Sequence, residues 1–191
     1  MTGVILAGGR STRMGADKAT VDLSGRAMID WVAEALAQVC AEVVVAGREG
    51  PIRGLEAVPD VGDRHRGPLA GIAACAGRGA ITVVAVDQPW VRPQTLQALM
   101  DLDGELPVVP VDRGARQATC AVYPAGLEAI MFEELDAGGS VQTLLDRVAF
   151  RAVADGEWRH WGEDGRSWFS ADSPDELAAA LARYGPPQPP M

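Results

Sequence analysis

The apolar positions of this chain fall into short unbroken runs, separated by stretches in which they recur every three or four residues. The runs at 3–7, 42–46, 81–87, 106–111 and 119–123 read as buried strands. Between the first two, residues 28–39 place Ile29, Val32, Ala33, Leu36 and Val39 on one face, the spacing of a helix packed on a sheet. Similar helical patterns cover 69–76, 92–100, 127–135 and 141–148. The stretch "DSPDEL" opens a last helix: Ser173 can cap it, Pro174 suits its first turn, and Asp175 and Glu176 favour its positive end. Strands alternating with helices predict an α/β fold, a Rossmann-like three-layer domain around a mostly parallel, mixed central sheet. Neither a repeat nor a break in composition interrupts this pattern. Residues 1–185 therefore read as one domain, and the tail "GPPQPPM", which cannot continue a helix, as a disordered end over 186–191.

Composition narrows the picture. The chain has 191 residues, 48% of them hydrophobic, and 17 basic against 26 acidic side chains give a formal charge of -9. A single core is affordable at that length. No apolar run approaches the roughly 20 residues of a membrane helix, and the first one is too short, and lacks the basic leader, for a signal peptide. A cytoplasmic protein without a membrane partner is expected. No extended basic stripe exists to neutralise a nucleic-acid backbone, so nucleic acid is not an expected partner and phosphate chemistry must use a local cluster. Cys40, Cys75 and Cys120 lie far apart in apolar surroundings and read as buried structural thiols.

One such cluster exists. "LAGGRSTRMGADKA", residues 6–19, follows the first strand directly and contains the chain's one lysine, Lys18. It lies at the edge where open α/β sheets bind ligands. Gly8 and Gly9 let backbone amides approach a ligand, and Gly15 permits a second sharp turn. Arg13 offers bidentate phosphate contacts and Lys18 a point charge. The stretch is neither a Walker A loop nor a dinucleotide fingerprint. Further on, "DQPW" ends the most apolar strand with Asp87, a hard oxygen donor suited to magnesium, although an aspartate before a proline loop is also a common turn former.

This loop resembles the signature of the small nucleotidyltransferases typified by molybdenum cofactor guanylyltransferase, the MobA-like family, whose pattern is approximately L-A-G-G-x-S-x-R-M-G-x-D-K. The resemblance covers most of the chain and weakens after residue 111. It implies a nucleotidyltransferase fold in which the loop wraps the triphosphate of GTP, with Leu6, Ala7, Gly8, Gly9, Arg13, Gly15 and Lys18 as its contacts. It implies Asp87 as the ligand of Mg2+, with Mn2+ as a substitute, and makes Arg13, Lys18 and Asp87 the catalytic set. "GPLAGI" is similar to the family's guanine-contacting segment, which assigns Pro68, Leu69, Ala70 and Gly71 to the base, and Asp60 in "VPDVGD" stands where the family holds the nucleoside. "WFSADSPDEL" resembles a closing Asn-Thr-Pro-Glu-Asp-Leu, with Asp172 at the asparagine position and a share in the metal left open. The activity implied is transfer of GMP from GTP to the terminal phosphate of molybdopterin-bound molybdenum. Its implied partners are GTP, the pterin substrate and, transiently, molybdoenzyme maturation proteins, with the chain monomeric or weakly oligomeric.

Three alternatives stay open at this level: a cytidylyltransferase acting on the same cofactor, a nucleotidyltransferase with another phosphorylated acceptor, and a non-catalytic nucleotide-binding regulator. The family pattern also differs here in places. Gly47 stands where some guanylyltransferases carry an asparagine near the base, and "RQATCAVY" lacks a common Pro-Leu. A basic patch of Arg10, Arg13, Lys18, Arg64, Arg66 and Arg116 would offset the acidic total charge in the cleft. Trp158, Trp161 and Trp168 read as a packed late hairpin, whereas Trp90 either packs or borders the acceptor.

Overall fold

The computed structural model describes residues 1–8, 17–62, 67–102 and 104–188. Ten strands, β1 (Thr2–Leu6), β2 (Asp22–Leu23), β3 (Arg26–Ala27), β4 (Glu42–Ala46), β5 (Glu56–Val58), β6 (Ile81–Ala85), β7 (Val108–Asp112), β8 (Ala115–Arg116), β9 (Cys120–Tyr123) and β10 (Arg151–Val153), are defined among them. Seven helices accompany them: α1 (Met28–Ala37), α2 (Pro68–Cys75), α3 (Pro93–Met100), α4 (Glu128–Asp136), α5 (Val141–Arg147), α6 (Asp155–Trp158) and α7 (Pro174–Tyr184). The central sheet runs β10-β7-β9-β6-β1-β4-β5, with β8 paired to β7. β1 pairs in parallel with both β4 and β6, and β9 is antiparallel to both its neighbours, so the sheet is mixed and mostly parallel as its patterning predicts.

Alternation along β1 divides the core. Val4 and Leu6 face α2, α4 and α5, while Ile5 faces α1 and α3. β1 is thereby buried on both faces, as befits a central strand between two parallel neighbours. The helix expected over 28–39 is α1, which ends at Ala37; Trp31 and Ala35 are buried in addition to the expected face, and Ala33 and Val39 pack half-buried against the same core. Ile29, Val32 and Leu36 are fully buried and stabilise the layer by about 1.5–3 kcal/mol each. All three cysteines are buried and free.

Three departures from the sequence expectations matter. The strand expected over 81–87 ends at Ala85, and Asp87 lies in the turn beyond it, where Gln88 N donates to Ala85 O at 3.0 Å. The edge strands β5 and β10, three residues each, were too short to carry a period. The tryptophan segment is no hairpin: Trp158 closes α6, while Trp161 and Trp168 lie in 3-10 turns. Its packing is nevertheless aromatic, Trp158 and Trp168 meeting edge-on at 5.1 Å, and each indole nitrogen reaches an oxygen of β7 at Val111 or Asp112. After α7, Pro187 is buried beside Trp90. Among the described residues no helix is long and apolar enough to cross a membrane.

The segment between the turns of Trp161 and Trp168 is anchored by a buried carboxylate. The Glu163 side chain is 0% exposed and accepts hydrogen bonds from Thr95 Oγ1 and Ser167 Oγ, both at 2.5 Å, and from the amides of Asp164 and Gly165. Arg92 Nε lies 3.4 Å away. A carboxylate so enclosed is tolerated only because its lone pairs are filled, and removing it strands several donors. Glu163→Ala is expected to lower the unfolding free energy by about 3 kcal/mol in urea titrations. A loss below about 1 kcal/mol would mean that these donors find other partners.

Candidate active site

The carboxyl ends of β1, β4 and β6 open into a cleft of about 520 Å3, within the usual range of small-molecule sites. Leu6, Ala7, Gly8, Lys18, Asp60, Pro68, Gly71 and Asp87 line it, joined by Asp17, Thr119, Ser170 and Asp172. Its position follows from topology, since parallel strands ending side by side leave a crevice at their carboxyl edge.

Lys18 is held by a short helical turn, Lys18–Thr20, whose N-cap Asp17 accepts from Ala19 N at 3.1 Å. Arg48 donates to the same Asp17 carboxylate at 2.6 Å. From this turn the Lys18 ammonium donates to Asp87 Oδ2 at 3.0 Å and also to Asp172 Oδ1. The three charged groups come from sequence positions far apart. Asp87 follows β6, whereas Asp172 precedes α7 and is steadied by a cap in which Ser173 accepts from Glu176 N and Glu176 accepts from Asp172 N at 2.7 Å. Burial works to lower the Lys18 pKa, but the Asp172 and Asp87 carboxylates outweigh it and hold the ammonium above its ordinary range. Asp87 is raised above the usual carboxylate range by burial, with Lys18 and a hydrogen bond from Ser170 working against that rise.

At the other end of the cleft, Asp60 is in close contact with three glycines. A side chain on Gly8 would come within 3.2 Å of its carboxylate, and one on Gly71 within 3.3 Å. Gly47 has φ +88°, and a Cβ there would overlap Gly8. A side chain such as asparagine cannot stand at this position without moving the backbone. Burial alone raises the Asp60 carboxyl above its ordinary range.

Several of the expected residues have their side chains away from the cleft or lie outside the described residues. Leu69 and Ala70 have fully buried side chains in the core below the cleft, so α2 presents Pro68 and Gly71 to it. Trp90 is 3% exposed, packs on Phe169 and Tyr184, and donates to Gly185 O at 2.8 Å; it does not line the cleft. Arg116 is engaged at the far side by Asp146 at 2.7 Å and Gln142 at 3.0 Å, which removes it from the expected basic patch. Gly9, Arg10, Arg13, Gly15, Arg64 and Arg66 lie outside the described residues. Thr119 and Ser170 were not anticipated, because single hydroxyls carry no spacing signal.

Among the described residues, no group of three or more His, Cys, Asp or Glu side chains is placed to hold a metal. The donor set nevertheless fits magnesium: two hard oxygen donors already share one cation, Lys18, and magnesium commonly takes one or two carboxylates and completes its shell with phosphates and water.

A mostly parallel sheet with glycine turns, a lysine and two carboxylates at its carboxyl edge has the layout of a nucleotide-transferring α/β enzyme. Residues 3–154 match the model of the MobA-like NTP transferase domain. The chain belongs to that family. It is 35% identical over 187 residues to the "Probable molybdenum cofactor guanylyltransferase" of Pelotomaculum thermopropionicum, covering 94% of this chain and 91% of that one. To the molybdenum cofactor guanylyltransferase of Cereibacter sphaeroides it is 33% identical over 189 residues, with 93% and 94% covered. The crystal structure of molybdopterin-guanine dinucleotide biosynthesis protein A from Archaeoglobus fulgidus superposes with a TM-score of 0.78 at 23% identity, over 96% of this chain and 98% of that one.

The raised Asp60 carboxyl makes a prediction with a definite sign. Because its pKa is raised in the folded state, its charged form costs stability at neutral pH, and the cost is relieved as pH falls through the folded-state pKa. Asp60→Asn is expected to leave the melting temperature equal or higher in calorimetry, while weakening GTP binding about tenfold or more through the lost charged acceptor. A clear drop in melting temperature would make Asp60 a support of the fold.

Proposed function

We propose that this protein transfers GMP from GTP to the terminal phosphate of molybdopterin-bound molybdenum cofactor and releases pyrophosphate. The observation that carries the reading is the Lys18 ammonium held between Asp87 and Asp172 at the carboxyl edge of the sheet. It is supported by the likeness, over nearly the whole chain, to proteins named as guanylyltransferases.

In this reading Gly8 and the start of α2 cradle the nucleotide by close backbone approach, and Asp60 accepts hydrogen bonds from the nucleoside. An acceptor phosphate oxygen attacks the α-phosphorus in line. The new oxygen–phosphorus bond forms as the bond from the α-phosphorus to the bridging oxygen breaks, and that oxygen leaves with pyrophosphate. Asp87, with Asp172 beside it, would hold Mg2+ or Mn2+, which when bound neutralises charge on the phosphates. Lys18 turns from the carboxylates towards the leaving phosphates and stabilises their charge, with Arg13 as its partner in the loop. No side chain becomes covalently attached, because positioning and charge stabilisation supply catalysis of this kind.

The test is pyrophosphate release with magnesium and the pterin acceptor, comparing GTP, CTP, ATP and UTP. Release with GTP alone supports the reading, and release with CTP alone would move the chain to cytidylyl transfer. Absence of release with every nucleotide, while GTP still binds, would contradict the proposed acceptor. Lys18→Ala and Asp87→Ala are each expected to lower kcat by about 100-fold or more with the far-ultraviolet circular dichroism retained. Near-wild-type turnover in either would remove that residue from the mechanism.

A further inference from the structure

Gln88, which follows Asp87 directly, takes no part in the chemistry described above and does not line the cleft. It is nevertheless 2% exposed, an unusual fate for an amide side chain at the end of a strand. Its amide group is spent on three elements at once. Oε1 accepts from Ala85 N at 3.1 Å, while Nε2 donates to Thr119 Oγ1 and to Trp168 O, each at 3.4 Å. The first of these contacts is the last residue of β6, the second lies in the turn just before β9, and the third belongs to the segment that carries Ser170 and Asp172.

Backbone bonds follow the same line. Ala85 N also donates to Thr119 O at 2.8 Å, and Ala171 N donates to Asp87 O at 2.9 Å. On the far side, Arg92 N donates to Ser167 Oγ at 3.1 Å. The strand end bearing Asp87 and the segment bearing Asp172 are therefore laced together, with the Gln88 amide as the buried side chain between them.

We infer that Gln88 is a positioning residue that fixes the spacing of Asp87 and Asp172 around Lys18. The inference rests on the reading of the cleft as a nucleotidyl-transfer site only for its catalytic consequence; the spacing itself is a property of the free protein. Gln88 touches no reacting atom. A buried amide with donor and acceptor both engaged holds its orientation, whereas an apolar side chain of the same length would fill the volume without fixing either neighbour.

The single lysine makes the test direct. Acetylation of full-length protein by a water-soluble succinimidyl ester, followed by mass spectrometry, reads Lys18 alone, with the Met1 amine as the internal reference. In Gln88→Met, Lys18 is expected to react at least three times faster relative to Met1 than in the wild type. GTP binding should stay within threefold and kcat should fall at least tenfold. Gln88→Glu, which keeps the length but sets an oxygen against Trp168 O, should show the same rise in reactivity and so covers the case in which the methionine variant folds poorly. Unchanged Lys18 reactivity in both variants would overturn the inference, whatever the activity. If the wild type released no pyrophosphate, the proposed reaction would fall while the labelling comparison would still decide the role of Gln88.

Discussion

The ion triad of Asp87, Lys18 and Asp172 is the constraint on which the cleft depends. It joins the turn that carries Lys18, the end of β6 and the approach to α7, and adds a side-chain tie to backbone bonds such as that from Ala171 N to Asp87 O at 2.9 Å. Two carboxylates placed this close repel unless a cation lies between them, and the enclosure that raises the Asp87 pKa sharpens that demand. Lys18 meets it in the free protein.

Around that triad, stability is given up where ligands must approach and recovered where they do not. Asp60 keeps a carboxyl whose charge burial disfavours, and Gly8, Gly47 and Gly71 give up side chains so that backbone and carboxylate can pack closely. The compensating structure is the dry core on both faces of β1 and the saturated Glu163 carboxylate. Glu163 differs from Asp60 in one respect that decides its role. Its oxygens accept from Thr95, Ser167 and backbone amides, so it fastens the loop, whereas Asp60 lines the cleft.

Much of this could be read in the sequence, and the boundary has physical causes. The largely apolar runs of β1, β4 and β6 identified the central strands because a strand buried on both faces is made mostly of apolar residues. The positions of Lys18 and Asp87 at the cleft were legible because glycine turns and a strand-end carboxylate leave local traces, whereas Asp60 was reached only through the family resemblance. Glu163, Gln88 and Ser170 left none, since their partners lie in distant parts of the chain and depend on tertiary folding. Leu69 and Ala70 show the converse limit: a segment can match a family pattern while helical geometry turns half of it into the core. The tryptophans likewise revealed that they pack, but not that short helical turns would carry them.

The most direct measurement on the central claim uses the chain's one lysine again, this time by spectroscopy. Protein labelled with 15N-lysine gives one side-chain ammonium signal, and it reports only on Lys18. The account predicts a signal protected from solvent exchange in the free protein, which shifts when GTP and magnesium are added as the ammonium turns from the carboxylates to the phosphates. A signal that exchanges like that of free lysine and does not move with GTP would contradict it.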